Sequence, residues 1–207
     1  EEAVDALGTP SGTPLGAAYA EASRYMYGMK PFNTANNPIG SDFDSRVVGT
    51  IQQGSNVRYT SPIAADDECS ANYIFLLTDG EPLNKASVDT NTKEVMESTT
   101  TVCSYSATET NSKGNQVYPS LNWVCMKKLA EYNNKTSKSN NTTPKKKVYT
   151  STMILGPLLN SSGAPSTAYK EMEDVATKGG GKPYTATDTA ALAKAFTDVV
   201  DESIKSS

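Results

Sequence analysis

A chain of 207 residues is long enough for one domain with a sizeable core, and a hydrophobic share of 37% means that much of it is polar loop. The net charge of -4 argues against nucleic acid as a partner. The absence of histidine removes Ser-His-Asp and Cys-His catalysis and most zinc and copper sites, so any metal has to be a hard cation held by oxygen. Cys69, Cys103 and Cys125 show no CxxC spacing, and an odd count implies one disulfide plus an outside partner or a free thiol. No secretory signal, membrane-spanning run or lipidation motif is visible. The opening Glu1-Glu2-Ala3-Val4-Asp5-Ala6-Leu7 reads as the middle of something, so a fragment of a longer polypeptide is expected.

Residues 8–14 form a tight loop punctuated by Gly and Pro, and a helix is predicted from about Pro14 to Tyr27. Proline suits its first turn, where the nitrogen has no intrahelical partner to lose. Leu15, Ala18, Tyr19, Ala22 and Met26 fall on one face at helical spacing. Thr13 then sits at the mouth of the helix, either as a plain N-cap or as a ligand. Residues 28–66 show no sustained period and read as an insertion, with a short edge element over Arg58–Ile63.

The stretch Tyr73-Ile74-Phe75-Leu76-Leu77-Thr78-Asp79-Gly80-Glu81-Pro82 organises the chain. Its unbroken apolar run predicts a strand buried on both faces, the habit of a parallel sheet covered by helices. Asp79 follows it, at the end of the sheet where α/β proteins place their ligand crevice, although Asp-Gly is also an ordinary turn signal. Residues 84–97 form a poor helix with Val88, Val95 and Met96 as its apolar points. Residues 98–120 read as a second surface insertion. A better helix runs from about Ser120 to Tyr132, with Leu121, Val124, Cys125, Leu129 and Tyr132 on one face.

Asn133–Thr143 is polar and of low complexity, and Lys145-Lys146-Lys147 reads as a solvated strand entrance. Val148–Leu155 is a second strand, rich in β-branched residues and ended by Gly156-Pro157. Ser166 caps a helix to about Lys178, with Tyr169, Met172, Val175 and Ala176 inward, and Gly179-Gly180-Gly181 stops it. The triple glycine follows a helix instead of opening one, which excludes a phosphate loop. Pro183–Ala186 is a short third strand, and Thr187 or Asp188 caps a last helix to about Lys205 with Leu192, Phe196, Val199 and Ile204 inward.

The alternation of helix and strand predicts an α/β fold, a mostly parallel sheet covered by helices on both faces, in a single domain over 1–207 with insertions at about 28–66 and 98–120. Three strands leave two exposed edges, and the expectation is that further strands lie N-terminal to Glu1.

Three segments together resemble the von Willebrand factor A domain, and more closely the version carried by the PilC/PilY type IV pilus tip proteins. They are Gly12-Thr13-Pro14-Leu15-Gly16 with its helix, the stretch from Ser61-Pro62-Ile63 through Cys69 to the LLTDGEP strand, and the closing Gly179–Ala186 strand with its helix. The resemblance covers most of the ordered chain and skips the two insertions. It implies a Rossmann-like three-layer fold and a metal-ion-dependent adhesion site in which Thr13 matches the ligating threonine and Asp79 the aspartate after a later strand. The DxSxS loop of that site is absent; Asp201-Glu202-Ser203-Ile204-Lys205-Ser206 has the wrong spacing and falls in the terminal helix.

The resemblance implies Mg²⁺, Ca²⁺ or Mn²⁺ held by oxygen at about 2.0–2.6 Å, with Thr13 ligating directly, Asp79 acting through water and one position open to a partner's carboxylate or carbonyl. It also implies an extracellular protein at a pilus tip or outer membrane, with minor pilins and host or abiotic surfaces as partners and no membrane span. With that location goes an expected Cys103–Cys125 disulfide staking the second insertion to the following helix, while Cys69 pairs upstream or stays free. The competing expectations are a structural spacer of the pilus tip with a vestigial metal site, and a Mg²⁺-dependent phosphoryl transferase using Asp79. No nucleophile–base pair or P-loop supports an enzyme.

Overall fold

The computed structural model describes residues 15–32, 51–52, 58–63, 71–80, 82, 87–103, 109–110, 116–117, 121–135, 147–156 and 166–205. In chain order these hold helix α1 (Leu15–Met26), strands β1 (Ile51–Gln52), β2 (Arg58–Tyr59) and β3 (Asn72–Thr78), and helix α2 (Ser87–Val95). Strands β4 (Glu109–Thr110) and β5 (Gln116–Val117), helix α3 (Leu121–Asn133), β6 (Val148–Leu155), α4 (Thr167–Lys178), β7 (Gly180–Ala186) and α5 (Thr189–Lys205) follow.

β3, β6 and β7 form a parallel three-stranded sheet in that order, which makes the fold α/β. The other two pairings are short antiparallel hairpins, β1 with β2 inside the first insertion and β4 with β5 inside the second. The predicted helices and strands are present at nearly the expected bounds; β7 starts earlier, because Gly180 and Gly181 belong to the strand and only Gly179 caps α4.

The central strand is β6, not the 73–77 run. β6 is buried along almost its whole length, whereas β3 lies at the side of the sheet and alternates. Ile74, Leu76 and Thr78 are buried, Tyr73 and Phe75 are half-buried, and Leu77 is 40% exposed. A run of five apolar residues carries no signal of which face is covered, so it reads as buried on both.

Residue parity separates the two faces. Ile74 and Leu76 of β3, with Val148 and Ile154 of β6, share one core with Leu15 and Tyr19 of α1, Trp123, Met126 and Leu129 of α3, and Met172 and Val175 of α4. Each large side chain removed from water here is worth about 1.5–3 kcal/mol. α3 is packed against α1, α2, α4 and β6, so Trp123 and Met126 are buried as fully as Leu129, a wider face than the one-stripe expectation. Ala18 of α1, expected inward, is exposed. On the opposite face α5 covers part of the sheet: Met153, Ala186 and Ala195 are buried, with Phe75, Tyr184 and Leu192 packed beside them. Phe196, expected inward, touches Phe75 at 5.5 Å between ring centroids yet stays 46% exposed.

β6 carries hydroxyls through the core, and each is used, as buried polar groups require. Thr150 Oγ1 and Tyr19 Oη share a hydrogen bond of 2.6 Å, Thr152 Oγ1 donates to the Met172 carbonyl, and Ser151 Oγ accepts from the Lys182 N–H. Burial raises the pKa of Tyr19 far above that of a free phenol, so it remains a neutral hydrogen-bonding group. Asn133 at the end of α3 donates to Tyr19 Oη and Ser23 Oγ and accepts from Tyr27 Oη. Arg24, 3% exposed, ties α1 to α2 through Asn91 Oδ1 at 2.7 Å and Glu94 Oε2 at 2.6 Å, and donates to the Lys30 carbonyl. Lys127 joins α3 to α4 through Glu171 at 2.9 Å and Asp174 at 3.4 Å. Burial pulls its pKa down, but the two carboxylates outweigh this and it is raised.

Candidate binding site at the carboxyl end of the sheet

The helices α1, α3 and α4 all run opposite to the strands. Tyr27 at the end of α1 meets Asn133 at the end of α3, and Asn134 donates to the Lys178 carbonyl at the end of α4, beside Gly180 at the start of β7. The beginnings of these helices therefore lie at the other end of the sheet, a helix length of about 18 Å away at 1.5 Å per residue. Gly16 confirms this grouping: a Cβ there would strike Asn122 Oδ1 and Val88 Cγ2, side chains from the first turns of α3 and α2. Helix beginnings and strand ends thus share one rim, the position of ligand crevices in α/β sheets.

Asp79 stands on that rim. Thr78 is buried at the end of β3, and its Oγ1 accepts from the Gly80 N–H at 3.2 Å and donates to the Gly80 carbonyl at 3.0 Å. This closes a turn that leaves the Asp79 side chain exposed, with no charged or hydrogen-bonding partner among the described residues. Thr13 lies outside the described residues; α1, which follows it, begins on the same rim as Asp79. Gly156, at φ +102°, ends β6 on this rim and donates its N–H to the Ala186 carbonyl. Asp188 Oδ1 caps α5 here by accepting from the Ala191 N–H at 2.8 Å. Asp201, the start of the segment that superficially mimics a DxSxS loop, is exposed within α5.

Exposed oxygen donors at strand ends, beside helix beginnings that carry partial positive charge, suit either a hydrated cation recruited by the carboxylate or an anionic group of a partner.

Cys103 and Cys125 form a disulfide with a Cα–Cα separation of 5.1 Å, as expected. It ties the start of the second insertion to α3 and lies buried among Val88, Val102, Leu121 and Val124. Cys69 lies outside the described residues. The structure adds a neighbour that the sequence analysis missed: Asp89, in the first turn of α2, accepts the Cys103 N–H at 2.9 Å. An aspartate in a first helical turn reads as a dipole partner, and its approach to a cysteine fourteen positions away has no local sequence signature. Among the described residues no helix is long and apolar enough to cross a membrane.

Comparison of the chain with family models, with curated proteins and with solved structures finds no match.

Proposed function

We propose that this chain belongs to an extracellular adhesion or binding module of the von Willebrand factor A type, of the kind carried by type IV pilus tip proteins. In this reading a divalent cation sits on the carboxyl rim of a three-layer domain, with Thr13 as a direct ligand and Asp79 acting through a water. The observation that carries it is the exposed Asp79 at the end of a parallel strand, on the rim where α1 begins. Magnesium, calcium or manganese would supply an electrophilic position to which a carboxylate or carbonyl of another protein or surface binds.

The strand order of the sheet fits the same reading. The crossovers from β3 to β6 and from β6 to β7 place their helices on one face, and right-handed connections carry the chain steadily to one side. α1 lies on that face as well. A parallel strand preceding α1 therefore belongs beside the outer edge of β3, which has no strand partner among the described residues. The disulfide fits an oxidising, extracellular setting.

The second reading is a structural spacer of the pilus tip with a vestigial metal site, favoured by the absence of a DxSxS loop. Titration of Mg²⁺, Ca²⁺ and Mn²⁺ into the protein separates the two, with adhesion measured with and without chelator. Adhesion abolished by chelator, and by Thr13→Ala or Asp79→Ala with thermal stability retained, is the expected outcome. Adhesion indifferent to chelator and to both substitutions defeats the metal-site reading.

A further inference from the structure

We propose that the open trough between β3 and α5 is the docking seat of an amphipathic helix from another protein, about thirteen residues long, apolar along one stripe and acidic at its C-terminal end. Tyr73, Phe75 and Leu77 alternate with the core residues Ile74 and Leu76, so they turn to the α5 side of the sheet. α5 is seated chiefly on β7 and leaves β3 uncovered: Tyr73 and Phe75 are half-buried and Leu77 is exposed. Among the described residues, the large apolar side chains left exposed are Leu77, Phe196 and Val200, and all three border this trough. A contiguous apolar strip marks a binding surface, whereas scattered exposure does not.

The dimensions are those of one helix. β7 and β3 are two strand spacings apart, about 9.5 Å. Helices pack side by side at about 8–10 Å, so a helix laid against α5 lies directly over β3. The seven residues of β3 span about 20 Å, the length of about thirteen helical residues. α5 supplies the wall. Thr189, Ala193, Phe196 and Val200 recur at spacings of four, three and four, and all are exposed. Phe196 touches Phe75, which turns this line of residues toward β3. The spacing is that of a helix-packing seam, and its two small residues let a neighbouring backbone approach.

Charge fixes the direction. Lys147 is exposed at the amino end of β6, with its Nζ 5.9 Å from the Tyr149 ring, and Tyr149 stacks on Tyr73 at that end of the trough. Lys145 and Lys146 directly precede it in the sequence. A helix C-terminus carries partial negative charge, so the occupant runs antiparallel to β3, as α5 does, and its acidic end meets the lysines. A second copy of the chain is a poorer occupant. It can pair its own β3 edge here, but its α5 seam already faces its own trough, and the outer side of that helix carries Lys194, Thr197 and Asp201. No cation enters this contact, so it is separate from the rim.

The test is fluorescence anisotropy with labelled helical peptides of about fourteen residues, with leucines on one stripe and glutamates at the C-terminal end or, in a control, at the N-terminal end. The C-terminally acidic peptide is expected to bind saturably, one to one and equally with chelator present, and more tightly than the control. Phe196→Ser and Val200→Asp, both at exposed positions, should each weaken it by about tenfold or more with circular dichroism unchanged. Lys147→Glu should abolish the preference between the two peptides. No saturable binding, binding lost in chelator, or preference for the N-terminally acidic peptide overturns the proposal, and these outcomes need no variant. Equal binding by Phe196→Ser and the parent, or tighter binding of an extended proline-containing peptide of the same composition, overturns it as well.

Discussion

Glu21 shows how one carboxylate couples the first insertion to the core. Its Oε1 accepts from Tyr59 Oη at 2.5 Å, and the Phe32 N–H points at the carboxylate at 3.3 Å. Burial raises its pKa above the ordinary 4.5, and the two hydrogen bonds and Arg24 only partly offset this. The folded state therefore binds this proton more tightly than the unfolded chain does. The stabilisation is complete below the ordinary carboxylate value and is lost as pH rises through the raised one. Glu21→Gln keeps an acceptor for Tyr59 and removes the buried charge. Denaturant midpoints of this variant are expected to vary less than those of the parent between pH 4.5 and neutrality, and to exceed them at pH 7. Legibility at this scale was uneven. The turn after an apolar run put Asp79 at a strand end, because that signal is local; the odd cysteine count allowed one disulfide but did not say that Cys103 and Cys125 form it. Arg24 and Asp89 gave no such signal, because their roles depend on partners far along the chain.

Among the elements, β7 carries the tightest constraint. Its register against β6 shifts between Thr150 and Thr152, and at this irregularity Gly181 lies so close to β6 that a Cβ would fall on the Thr150 carbonyl oxygen. Gly180 beside it takes φ +68°, a region that favours glycine. The triple glycine thus ends α4 and also lets β7 seat against β6. Gly181→Ala is expected to destabilise by about 1–3 kcal/mol, read as a lowered melting temperature, because backbone cannot yield as a side-chain tip can. Helices and strands were legible as elements because their periods and caps are local; Ser166 does cap α4, accepting from the Tyr169 N–H at 3.2 Å. Which strand is central was not legible. β3 is the more apolar run, yet β6, with Thr150, Ser151 and Thr152 in its middle, holds the centre because each hydroxyl found a partner.

At the scale of the whole molecule, the outer edge of β3, which has no strand partner among the described residues, and the half-buried to exposed apolar side chains beside it form one feature. Tyr73 stacks on Tyr149 at 5.3 Å, and Phe75, Leu77 and Phe196 continue the strip toward the carboxyl rim. Unpaired strand edges next to apolar surface template association. The 1–207 chain is expected to self-associate with rising concentration in light scattering. Leu77→Lys, at a position already 40% exposed, should suppress this with little loss of stability. Equal association by parent and variant would remove this edge as the cause. Alternation of helix and strand made the parallel sheet legible. The extent of its coverage was not, because coverage depends on where α5 lands rather than on any period in α5 itself.

The bond between Cys103 and Cys125 encloses most of the second insertion, from residue 103 onward, in a covalent ring. A protease that cuts anywhere between them leaves two polypeptides that still migrate as one on a non-reducing gel and separate only with thiol present. Nicking within that ring can therefore reshape the insertion without releasing α3, Val148–Leu155 or anything downstream from the helices that precede the cut.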